Sequence, residues 1–91
     1  MMTVKLSSCG NPDFGQSPYV PLSQERTVEV ETLEEASREC RRYIEDNHLG
    51  GGNWNGGQAK QGKKVVAQIS YNGRIWPIEE WNRFMDSVPK P

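Results

Sequence analysis

Thr27-Val28-Glu29-Val30-Glu31-Thr32-Leu33-Glu34-Glu35-Ala36 is the stretch that decides the fold. Its first five residues alternate polar and apolar, the period-two pattern of a strand with one buried face. Thr32 stands three residues before Glu35, the spacing of a capping box, so a helix is predicted from Leu33. Leu33, Ala36, Cys40, Tyr43 and Ile44 then recur at spacings of three and four, an apolar stripe on one side of that helix. It is predicted to run to about Asn47, with Gly50 as its left-handed stop.

Downstream, Gly50 to Gly57 holds too many glycines for a helix and reads as a tight or exposed loop. Gln58 to Lys60 and Lys63 to Tyr71 read as two strands joined around Gln61-Gly62, with Val65, Ala67, Ile69 and Tyr71 on one face. Asn72-Gly73 signals a two-residue type I′ hairpin turn, and Arg74-Ile75-Trp76 is the returning strand. Pro77 ends it and opens a short final helix, whose apolar stripe is Ile78, Trp81, Phe84 and Met85. Upstream, Thr3 to Ser7 has the alternation of a short strand. Cys9 to Ser23 collects Gly10, Pro12, Gly15, Pro18 and Pro21, which predicts an irregular arm. Phe14, Tyr19, Val20 and Leu22 suggest that the arm lies against the body.

The reading is a small α+β fold: strand, helix, three-strand antiparallel meander and short C-terminal helix, with the helices on one face of the sheet. Residues 1–26 form an N-terminal arm, 27–86 a single domain and 87–91 a tail. With 91 residues, 34% of them apolar, the chain supports one thin core, in which every aromatic side chain is needed.

A net charge of −1 excludes a strong nonspecific polyanion binder, yet the charges are segregated. Glu25 to Asp46 carries eight acids against four arginines, whereas Asn47 to Ile78 carries Lys60, Lys63, Lys64 and Arg74 and no acid. No apolar run reaches the length of a membrane span and the N-terminus lacks a signal-peptide stretch, so a cytoplasmic protein is expected. Cys9 and Cys40 are then two free thiols, a disulfide between them being the alternative.

Catalytic chemistry is hard to assemble from these residues. His48 is the single histidine, and its place near a helix C-terminus suits a capping role. Neither cysteine has a partner at zinc-ligand spacing. Gly50 to Gly57 lacks the Gly-Lys-Ser/Thr ending of a phosphate loop. The carboxylates of the first helix alternate with arginines as in a solvated ion-pair face. No catalytic residue, metal site or cofactor is expected, and the chain reads as a binding protein. Two surfaces are candidates. One is Asn53, Trp54 and Asn55 with the basic residues Lys60, Lys63, Lys64 and Arg74. The other is the outer face of the first helix, Glu34, Glu35, Arg38 and Arg42, a contact for a basic partner. The basic residues lie near Trp54, Tyr71 and Trp76 in sequence, which admits a second reading, a small RNA- or single-stranded-DNA-binding domain. The order helix, three strands, helix matches double-stranded RNA-binding domains, but Ile78-Glu79-Glu80-Trp81 stands where those carry a basic cluster.

Asn47 to Gly57, Ser70 to Trp76 and the opening Ser8-Cys9-Gly10-Asn11-Pro12-Asp13-Phe14-Gly15 together resemble small proteins encoded on bacterial plasmids, phages and integrative elements. The resemblance implies a context: short proteins of such elements, anti-CRISPR and antirestriction proteins among them, often bind and block a host protein or ribonucleoprotein complex. It implies no residue-level assignment.

Overall fold

The computed structural model describes residues 1–17 and 19–87. Among them, strand β1 spans Met2–Leu6, β2 Arg26–Val30, β3 Gln58–Gln61, β4 Lys64–Ile69 and β5 Ile75–Pro77; helix α1 spans Leu33–Asp46 and α2 Ile78–Ser87. The strands form one antiparallel sheet in the order β2-β1-β3-β4-β5. The fold is the small α+β class anticipated, with the β3-β4-β5 meander intact. The N-terminal boundary differs. Met2–Leu6 lies inside the sheet, between β2 and β3, so the irregular arm begins only at Ser7. Val4 and Leu6 are fully buried there, which fixes the register, since a one-residue slip would send both to solvent.

Helix α1 starts where its cap dictates. Thr32 Oγ1 accepts from Glu35 N at 3.1 Å, while Glu35 Oε2 reaches back to Glu31 N at 3.0 Å. The end differs from expectation: His48, at φ 53°, takes the left-handed position assigned to Gly50. Leu49 N bonds Ile44 O and His48 N bonds Glu45 O, a Schellman motif closed by the burial of Leu49. Ala36, Cys40, Tyr43 and Ile44 face the sheet and meet Val4, Leu6, Val30 and Ile69 in the core. Burying such a Leu or Ile side chain contributes about 1.5–3 kcal/mol.

The hairpins follow glycine geometry. Gly62, at φ 63°, turns β3 into β4. At the next turn only Gly73 has positive φ, at 88°, so Asn72-Gly73 is not type I′. Instead Gly73 N bonds Ser70 O and Ser70 N bonds Arg74 O, a three-residue loop whose left-handed residue is Gly73. Asn72 Oδ1 accepts from Arg74 N at 3.1 Å and keeps its own backbone out of that region. Helix α1 clasps this turn, with Ser37 Oγ on Gly73 O at 2.6 Å and Arg41 Nη1 on Tyr71 O at 2.6 Å.

Helix α2 rests on β4 and β5. Its anchor is Trp76, with ring centroids 5.8 Å from Trp81 and 5.1 Å from Phe84. Ile75 packs against the core cluster, so Trp76, its neighbour in β5, leaves the sheet on the other side. The expectation that both helices share one face does not hold: α1 packs on the Ile75 side of the sheet and α2 on the Trp76 side, because successive residues of β5 point to opposite faces. Ser87 closes α2; the rest of the proposed tail lies outside the described residues.

Cys40 is buried and Cys9 half-buried, and both thiols are free. Burial, helped by the nearby Glu39 carboxylate, pushes the Cys40 thiol up from 9.0 to about 12. The folded state therefore keeps a proton that the unfolded chain loses. Cys40's contribution to stability should hold up to about pH 9 and fall as pH rises toward 12. A thiol-disulfide reagent at neutral pH should modify Cys9 in the native protein, and Cys40 only after denaturant is added. Reaction of both at one rate in native buffer would contradict this burial.

Candidate interaction surfaces

The loop at Asn53, Trp54 and Asn55 is occupied by the fold. Asn53 is buried: its Nδ2 donates to Cys9 O at 2.9 Å and Gln16 Oε1 at 3.1 Å, and its Oδ1 accepts from Gly50 N at 3.1 Å. Trp54 packs against Tyr43 with ring centroids 6.1 Å apart, and its Nε1 donates to Ile69 O at 3.0 Å. Asn55 is exposed but accepts the Ser7 hydroxyl through Oδ1. Of the three, Asn55 is exposed, Trp54 keeps part of its ring at the surface, and Asn53 offers none.

The four basic residues separate into two places. Lys60, Lys63 and Lys64 are exposed around the β3–β4 turn. Arg74 precedes Ile75, which pairs with Ile69 at the far end of β4. Five residues of strand put roughly 17 Å between the two. The Arg74 guanidinium stacks over Trp76, 3.8 Å from the ring centroid.

On α1, Glu34 and Arg38 are exposed, Glu35 serves the cap, and Arg42 lies 3.6 Å from Glu39. This is largely a solvated helix face, worth little to stability.

Two apolar features lie outside the surfaces selected from sequence. The arm was expected to press its apolar side chains on the body, but it is held by polar atoms. Ser8 Oγ meets Ser23 Oγ at 2.6 Å and takes Leu22 N at 3.0 Å; Ser23 Oγ meets Tyr43 OH at 2.5 Å, and Tyr43 OH donates to Gln24 O at 2.8 Å. Gly10 N closes on Val20 O at 3.1 Å. Phe14 and Tyr19 point outward, 78% and 92% exposed, with Val20 and Leu22 also exposed. The density of Gly and Pro around these aromatics was the one signal for this, since a chain so broken rarely aligns successive side chains on a core. The second feature is α2, none of whose residues is buried; Phe84 and Met85 remain 44% and 47% exposed. Among the described residues Trp76 Nε1 and Gln58 Oε1 are buried without a hydrogen-bond partner, and Gln68 pairs with both residues in the sheet.

Neither protein-family models nor curated proteins nor solved structures match this chain. Among the described residues no helix is long and apolar enough to cross a membrane.

Proposed function

We propose that this chain is a non-enzymatic binding protein of a mobile genetic element, acting in the cytoplasm to block or adapt a host protein or ribonucleoprotein complex, as anti-CRISPR inhibitors do. The observation that carries this reading is the arm. Phe14 and Tyr19 are solvent-exposed on a segment pinned at Ser8, Gly10 and Ser23 by hydrogen bonds. Exposed aromatics on a constrained loop add nothing to the core and supply contact area at low entropy cost on binding. Aromatic and arginine side chains are also the usual anchors of interfaces, and Trp76 under Arg74, with Trp81 and Phe84, forms a second group of that composition.

Replacing Phe14 and Tyr19 together by serine should change unfolding stability by no more than about 0.5 kcal/mol, because both are exposed. The same double substitution should abolish retention of a discrete complex in affinity capture from nuclease-treated bacterial lysate. Retention of the complex by the double variant would remove the arm from the interface, and absence of any complex with the wild-type protein would defeat the reading.

A second reading, contact with RNA or single-stranded DNA, is favoured by Lys60, Lys63 and Lys64 standing exposed around one hairpin. It requires oligonucleotide affinity that falls steeply with salt and is lost when the three lysines become glutamine.

A further inference from the structure

We infer that the outer edge of β2, Arg26–Val30, docks an extended, Lys- and Arg-rich segment of a partner protein, which joins the sheet as an added strand; this deepens the binding-protein reading and rests on it. Among the described residues β2 is the end strand of the sheet and pairs only with β1. On its outer side alternate residues therefore direct backbone N–H and C=O groups at solvent, a template for another strand. The opposite edge is poorer, since β5 has three residues and the last is Pro77.

Charge selects the occupant. Glu29 lies within the strand and Glu25 and Glu31 flank it, at period-two spacing and all exposed. Lys5 meets Glu25 at 3.1 Å, whereas Glu29 and Glu31 have no ion-pair partner among the described residues. Beside Glu29 and Glu31 a groove of about 510 Å³ opens, lined also by Met1, Met2, Glu35 and Gln61. An arginine or lysine suits it, the aliphatic stem lying on the methionines and the cation reaching the carboxylates.

The same charges argue against a second copy as the occupant. Antiparallel pairing of two β2 strands about a twofold axis at Val28 sets Glu25 opposite Glu31 on both sides. Centring on Thr27 sets Glu25 opposite Glu29, and centring on Glu29 sets that residue against itself. Like charges directly opposite destabilise a strand pair, so this edge repels itself and attracts a basic strand.

The test uses the full chain and two labelled peptides of about ten residues, one alternating lysine with threonine and one alternating glutamate with threonine. Anisotropy at low salt should show saturable binding of the lysine peptide and none of the glutamate peptide. Amide hydrogen exchange should slow at alternate residues of Arg26–Val30. The E29K/E31K double variant, which alters exposed side chains, should bind the lysine peptide roughly tenfold more weakly, the loss of two exposed ion pairs. Four outcomes overturn the inference: no binding, equal binding of both peptides, unchanged affinity in the double variant, or binding with β2 amide exchange unaltered. Failure here with a discrete complex still captured from lysate would sink the edge site alone. Peptide binding with no complex captured would sink the binding-protein reading and leave the edge's selectivity standing.

Discussion

Replacing Trp54 by alanine should lower the unfolding free energy by about 3 kcal/mol, at the lower end of the cost of truncating a large aromatic because the ring is only partly buried. Two losses combine. Tyr43 loses the ring it packs against, and Ile69 O loses the indole N–H at 3.0 Å. A chain of this length has about 5–14 kcal/mol of total stability, so the melting temperature should drop by roughly 15 °C. Trp54→Phe separates the contributions: it keeps most of the packing and forfeits the hydrogen bond, a loss of about 1 kcal/mol. Thermal unfolding followed by circular dichroism would measure both. If Trp54→Ala melts within a few degrees of wild type, the packing on Tyr43 is not holding the fold, and Trp54 returns to the list of partner anchors.

The role of Trp54 also marks where sequence reading stops. Local patterns were legible because their causes are local: the alternation of Thr27–Glu31, the Thr32 cap and the apolar stripe of α1 all specify themselves within a few residues. The meander was legible for the same reason. Strand β1 was legible as a strand, but not as an interior one, because its partners β2 and β3 lie far along the chain and are reached through the arm and α1. Glycine density around Trp54 suggested freedom. Gly56 and Gly57 are in fact buried, and glycine is there because other backbone comes close. Composition cannot distinguish a glycine that permits motion from one that permits contact.

The candidate site was legible to a lesser degree. Exposed lysines on the β3–β4 hairpin and the solvated face of α1 follow from pattern alone. The joining of Lys60, Lys63 and Lys64 with Arg74 into one patch did not hold, because the antiparallel register sends the lysines and the arginine to opposite ends of β4. The arm's attachment depends on a chain of hydroxyls through Ser8, Ser23 and Tyr43. Such a network is assembled by tertiary position and leaves no periodic trace in the sequence.

Gly57 gives the other large effect. It stands at φ 99°, just before β3, where its N–H reaches Lys5 O at 2.7 Å and its carbonyl takes Ile69 N at 2.9 Å. The residue thus ties β1 and β4 to the entrance of β3. A methyl group there would press into the backbone carbonyl of Ile69 and come within 2.9 Å of Gln68 Nε2. Gln68 Nε2 also donates to Gly56 O at 2.8 Å, so relieving the clash breaks hydrogen bonds already made in the interior. Gly57→Ala is therefore expected to cost about 3 kcal/mol or more, combining backbone strain of roughly 1–2 kcal/mol with disrupted buried polar contacts. Gly62→Ala supplies the control. Gly62 also has positive φ, at 63°, but an added methyl meets nothing within 4 Å, which leaves the backbone strain alone, about 1–2 kcal/mol. Urea midpoints of the two variants would separate conformational strain from close approach. Equal shifts would mean that the β1–β4 tie at Gly57 relaxes without penalty; a much larger shift at Gly57 would identify that junction, formed from glycine because nothing larger fits, as a point on which the order β1-β3-β4 depends.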